Sequence, residues 1–97
     1  MEIQQGAVLK VEKIKDPVFV ASKNFFNQSG EIIGCPGEST ESPLHIYVEM
    51  DENKGYIQCE QMKMLDLRVR GYKIIDRVKM ADVINVTDAI QSIFDYI

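Results

Sequence analysis

The sequence predicts a mainly β domain, a small barrel or sandwich of six or so short strands followed by one C-terminal helix. Three observations predict it. Short runs rich in Val, Ile, Phe and Tyr recur through roughly the first eighty residues, several with apolar side chains at every second position. Clusters of Gly, Pro, Asn and Asp separate these runs at the spacing of tight connections. From Lys79 the period changes, with Val83, Val86, Ile90, Ile93 and Ile97 at steps of three and four, as in an amphipathic helix.

Gly6 precedes the first strand, which runs from Ala7 to Glu12. Lys13 to Asp16 is a short charged connection. Pro17 fits the first position of the next strand, Val18 to Ala21, because proline cannot donate to a central ladder. That run is apolar on both faces and is expected to be buried. Ser22 to Gly30 reads as a turn-rich connector in which Phe25 and Phe26 plug the core. Glu31 to Cys35 is a third strand ending at Pro36, and Gly37 to Pro43 is a polar, acidic, mobile loop. Leu44 to Met50 alternates well: Leu44, Ile46, Val48 and Met50 face the core, His45, Tyr47 and Glu49 the other side. Asp51 to Gly55 is a turn, and Tyr72 to Val78 is the last strand. Asp82 suits the positive end of the C-terminal helix, whereas Asp95 near its end does not. The apolar stripe of that helix is wide, which predicts that part packs on the sheet and part is covered by a second copy.

Residues 1–97 are expected to form a single domain, 45% apolar, large enough for a core yet hard to stabilise much further without a partner, so a homo-oligomer is expected. No run of about eighteen apolar residues and no charged segment leading into an apolar one is present, so neither a membrane span nor a secretory signal is predicted, and a cytoplasmic protein is expected. Cys35 and Cys59 have no second Cys or His at ligand spacing and read as buried free thiols; no metal and no cofactor is expected. The net charge of −4 weighs against general nucleic-acid binding, but its distribution is uneven. Residues 60–80 hold six basic side chains against three acidic ones, and the rest of the chain five against twelve, so a basic edge sits on an acidic body.

The most informative stretch is 55–71. Tyr56 to Cys59 reads as a strand with Ile57 and Cys59 inward and Gln58 facing out with Glu60. A turn over Gln61 to Asp66 leads into Leu67-Arg68-Val69-Arg70, an alternating run whose Leu67 and Val69 face the core. On this reading Glu60, Arg68 and Arg70 line one groove.

These segments resemble the PemK/MazF family nearly end to end. The resemblance rests on Gly6-Ala7-Val8-Leu9, on Pro17-Val18-Phe19-Val20, on Cys59-Glu60-Gln61 followed by Leu65-Asp66, and on the helix after Arg77-Val78. The centre is most specific: one branch carries Arg-Cys-Asp-Gln, then Ile-Asp and Ala-Arg-Gly, where this chain has Gln58-Cys59-Glu60-Gln61, Leu65-Asp66 and Val69-Arg70-Gly71. The resemblance implies an SH3-like barrel of about six to seven strands with a C-terminal helix and a symmetric dimer. It further implies a metal-independent endoribonuclease toxin acting on single-stranded mRNA, with an RNA groove on the dimer face that the disordered acidic tail of an antitoxin of the MazE or PemI kind can occupy. Two family positions depart. The loop between the first strands is short, with Asp16 where the family has an arginine before the proline, and Gly37 stands where it has a catalytic Thr or Ser.

Metal-free RNA cleavage needs a base for the 2′-hydroxyl, an acid for the leaving 5′-oxygen and donors for the phosphorane charge. Glu60 is the candidate base and His45 the candidate acid, tuned by Tyr47 and Glu49; the plain alternatives are a solvated strand-end carboxylate and a surface histidine. Arg68 and Arg70 are candidates for phosphate, with Lys63, Gln58, Ser39 and Thr40 as further RNA contacts, against the alternative of a solvated face. Tyr47 and Tyr56 either stack on unpaired bases or simply pack. A MazF-fold binding module that has lost cleavage is the competing reading, favoured by the acidic balance and by Asp16.

Overall fold

The computed structural model of the chain describes residues 3–39, 41–42 and 45–94. Expectations about Thr40, Leu44, Asp95 and Ile97 lie outside the described residues. Among those described there are seven strands and two helices: β1 (Ala7–Val11), β2 (Val18–Val20), α1 (Asn24–Asn27), β3 (Glu31–Glu38), β4 (His45–Glu49), β5 (Lys54–Gln58), β6 (Lys63–Asp66), β7 (Tyr72–Arg77) and α2 (Met80–Phe94). All strand pairs are antiparallel, in the order β4-β5-β3-β2-β1-β7, with β6 added to the first half of β3. A bridge between Met50 and Val78 joins the two ends of that path, which closes the sheet into a barrel.

β3 is the strand on which the architecture turns. Its first half pairs with β6 from Glu31 to Gly34, and its end pairs with β5 at Gly37 and Glu38, so one strand serves a larger and a smaller sheet. Pro36 does not end it, contrary to the sequence reading. The proline falls between the two ladders, where its missing donor interrupts neither, and on its other side it lies opposite Val18 of β2.

Strands β1, β2 and β3 are buried on both faces, and alternation sends their side chains into two cores. Leu9, Val11, Val18, Val20 and Ile32 enter one, with Leu65 and Leu67 from β6 and beyond. Val8, Phe19 and Cys35 enter the other, with Val48 and Ile57 from the small sheet, Cys59 from the turn after β5, and Val83 and Val86 from α2. The start of α2 is fixed to β4 where the Glu49 N–H donates to Asp82 Oδ2 at 2.8 Å.

Two further expectations are corrected. The connector 22–30 contains a helical turn, α1, organised by buried Asn27, whose Nδ2 donates to the carbonyls of Ile3 (2.8 Å) and Ser22 (3.1 Å). Asn27 takes the interior place expected of a phenylalanine, and Phe25 is 86% exposed. The basic run 67–70 is a turn and not a strand, and β6 precedes it. Asp66 is the cause: its carboxylate accepts the Arg68 N–H at 2.9 Å and two guanidinium bonds at 2.9 and 3.0 Å, which folds the chain back and leaves Val69 exposed. Gly30, at φ +94°, gives its carbonyl to the Leu67 N–H and leaves room for the Arg68 stem, which a Cβ there would meet at 2.5 Å.

Candidate functional site

The outward face of the small sheet carries three cross-strand pairs in register, His45 with Gln58, Tyr47 with Tyr56, and Glu49 with Lys54. Period-two alternation puts them there, since Ile57 and Val48 between them are buried. Just beyond β5 the chain turns, with the Gln61 N–H donating to the Gln58 carbonyl at 3.1 Å. That turn tucks Cys59 into the core and swings Glu60 back over the sheet. Glu60 Oε2 thus lies 3.5 Å from His45 Nε2. The imidazole is only 10% exposed and the carboxylate 30%, so the histidine, expected on an open face, is largely covered.

A second polar cluster adjoins this pair. Gln58 Nε2 donates to Glu38 Oε2 at 3.0 Å, and Glu38 Oε1 accepts the Ser39 N–H at 2.8 Å. Tyr47 and Tyr56 meet edge to face, with centroids 5.5 Å apart, and the Tyr56 hydroxyl donates to Glu41 Oε2 at 3.4 Å. Burial pushes the thiols of Cys35 and Cys59 up to about 12 and about 11, so neither supplies a nucleophile at neutral pH.

Two grooves flank the end of β3. One, of about 370 Å³, runs past Asp16, Pro17, Gly37, Glu38, Ser39 and Tyr56. The other, of about 280 Å³, runs past Lys15, Asp16, Pro36, Gln58, Gln61 and Lys63. Asp16 lines both. Among the described residues no three or more His, Cys, Asp or Glu side chains are grouped so as to hold a metal ion.

The structure therefore brings Glu60, His45 and Gln58 together, sets Ser39 beside Glu38, and places Lys63 in the second groove. Arg68 and Arg70 do not join Glu60 in one groove, and that expectation is corrected. Glu60 lies beyond the end of β6 that pairs with Gly34, whereas Arg68 lies beyond the end that pairs with Glu31. There Arg68 is held by Asp66 and lies 4.0 Å from Glu31. The Arg68 hydrogen bond holds the Asp66 carboxyl below its ordinary value, and the same bond raises the Arg68 guanidinium. Arg70 is exposed in the segment that crosses from β6 to β7. Glu38 does not stand out in the sequence because its strand reads as loop after Pro36, nor do Lys15 and Gln61, which no local pattern marks; Glu38 lines the first groove and the other two line the second.

The chain superposes on three crystal structures from Deinococcus radiodurans. For MazE-MazF (Form-II) the TM-score is 0.85 at 16% identity, covering 100% of this chain and 99% of that one. For MazE-MazF (Form-I) the values are 0.83 and 17%, covering 96% of each. For MazF (Form-I) the TM-score is 0.80 at 16% identity. These likenesses define the fold class, a closed antiparallel barrel with a C-terminal helix. The family model for the PemK-like, MazF-like toxin of type II toxin-antitoxin systems matches residues 7–94, and the chain belongs to that family. No functionally curated protein matches the sequence. Among the described residues no helix is long and apolar enough to cross a membrane.

Proposed function

We propose that this chain is a cytoplasmic toxin that cleaves single-stranded mRNA without a metal ion, with Glu60 and His45 as its proton-transfer residues. The contact that carries the reading is His45 Nε2 to Glu60 Oε2 at 3.5 Å, with Glu60 at the position where the family keeps a carboxylate. Glu60 takes the proton of a ribose 2′-hydroxyl, the freed oxygen attacks the adjacent phosphorus, and the P–O5′ bond breaks. His45 gives a proton to the departing 5′-oxygen, which leaves a 2′,3′-cyclic phosphate and a 5′-hydroxyl. Partial burial of the pair strengthens both transfers relative to open solvent. Gln58 lies opposite His45 in register and adds an amide to the same edge.

The protein acts as a homodimer in this reading. An apolar groove of about 750 Å³ lies between α1, β6 and α2, walled by Phe25, Phe26, Met62, Met64, Ile90 and Phe94. Phe25, Met64 and Phe94 are exposed there, which a second copy of the same face relieves. The fold is that of the MazF in the MazE-MazF crystals, and a MazE-like antitoxin whose acidic tail occupies the RNA groove neutralises the toxin.

One observation favours a second reading, a binding module without cleavage. The groove at the two altered family positions carries Asp16 and Gly37, with Glu38 beside them, so carboxylates stand where phosphate needs a cation. Incubating a long single-stranded RNA in EDTA with the parent protein and with Glu60→Gln separates the readings. The toxin reading expects site-specific cuts by the parent that fall by about a hundredfold or more in the variant; intact RNA with the parent leaves only the binding module.

A further inference from the structure

The family arginine is missing, and the structure offers a different cation in its neighbourhood. The loop between β1 and β2 is short and tightly held. Lys13 adopts a positive φ of 67°, the Ile14 N–H donates to the Val11 carbonyl at 3.1 Å, and Lys10 Nζ donates to the carbonyls of Ile14 (3.2 Å) and Lys15 (3.0 Å). A non-glycine residue held in that conformation, with three hydrogen bonds around it, fixes the loop in one shape. It presents Lys15 to the groove of about 280 Å³ that also receives Lys63, Gln58 and Gln61. The charged side chains lining that groove are Lys15, Lys63 and Asp16, so it is net positive within an acidic chain; the neighbouring groove, with Asp16, Glu38 and Asp76 against Lys54, is net negative. Gln58 belongs both to this groove and, through its register with His45, to the edge of the proton-transfer pair.

We infer that Lys15 and Lys63 bind the phosphodiester backbone of the RNA, with the amides of Gln58 and Gln61 as further donors. The inference rests on the RNA reading of the preceding section. A strand lying along the groove meets both lysines, and Gln58, in register with His45, joins the groove to the edge that carries the proton-transfer pair. An acidic peptide would satisfy the lysines as well, but the two glutamines beside them match the mixed donors and acceptors of base edges and ribose better than a carboxylate-only ligand.

The test is binding of a fluorescent 2′-O-methyl RNA oligomer, which cannot be cut, measured by anisotropy across a salt series, with a polyglutamate peptide as competitor. Lys15→Ala and Lys63→Ala are each expected to weaken binding severalfold and to lower the salt slope by about 0.7 to 1, and Arg68→Ala to leave both unchanged. Asp16→Asn is expected to tighten binding. Both lysines are exposed in the single chain, and Lys63 also borders the apolar groove of about 750 Å³, so melting curves check that each variant keeps the fold and gel filtration that it keeps the parent's oligomeric state. Equal affinities and slopes for the parent and both lysine variants overturn the inference, as does a parent that binds only the peptide or nothing. A parent that binds in this lysine-dependent way yet leaves cleavable RNA intact keeps the groove and removes the nuclease reading.

Discussion

Single side chains decide where this chain departs from the pattern of its sequence. Leu67-Arg68-Val69-Arg70 alternates as a strand should, yet Asp66 captures the Arg68 N–H and guanidinium and turns the run into a bend. No periodicity reveals such a capture, because it depends on one carboxylate reaching two residues forward. The two cysteines were legible, since no partner stands near them in sequence and both lie on inward positions. Their burial yields a test at this scale. With pKa values pushed up to about 12 and about 11, the thiolate of Cys35 is about one part in ten thousand at pH 8. Native protein is therefore expected to resist an aromatic disulfide reagent, with both thiols titrating at once in guanidinium. Prompt reaction of either thiol in the native protein contradicts the assigned packing.

At the scale of elements, the strands with clear alternation were readable, and the ones misread had their ends set by tertiary contacts. β3 passes through Pro36 because its pairing partners change there, a fact that lies in β5 and β6 and not in β3. The closure of the barrel depends likewise on a residue that pattern alone leaves anonymous. Asp76 of β7 is buried and accepts hydrogen bonds from the N–H groups of Arg77 (2.8 Å) and Glu52 (3.1 Å) and from Asn53 Nδ2 (2.8 Å). It thereby anchors the hairpin between β4 and β5 to β7. Burial alone would raise its carboxyl, but the hydrogen bonds outweigh that effect and hold it below the ordinary 3.8. A depressed folded value means that the stabilisation is complete above the unfolded pKa and is lost as pH falls through the folded one. Asp76→Asn is expected to lower stability by about 1 to 3 kcal/mol near pH 7, with the gap to the parent closing below about pH 3.8. Melting curves between pH 2.5 and 7 measure it, and a gap independent of pH would sink the assignment.

For the whole molecule, the sequence carried the barrel and helix, and the family match bears out that reading. Of the candidate site, the sequence marks the residues but not their meeting. Glu60, His45 and Gln58 stand out by type and position, but their meeting depends on the β4–β5 register and on the turn after Cys59. The apolar face of α1, β6 and α2 makes a prediction at this scale, since Met64 is 58% exposed within it. Met64→Glu is expected to convert a dimer into a folded monomer in light scattering coupled to gel filtration; a dimer unaffected by the substitution places the interface elsewhere. The nuclease reading is tested most directly by the chemistry of the cut ends, read by mass spectrometry of RNA digested in EDTA. Glu60 and His45 acting on a 2′-hydroxyl predict 2′,3′-cyclic phosphate and 5′-hydroxyl termini, absent with Glu60→Gln and with His45→Ala. Fragments ending in 3′-hydroxyl and 5′-phosphate, or cyclic phosphates that persist in both variants, would contradict it.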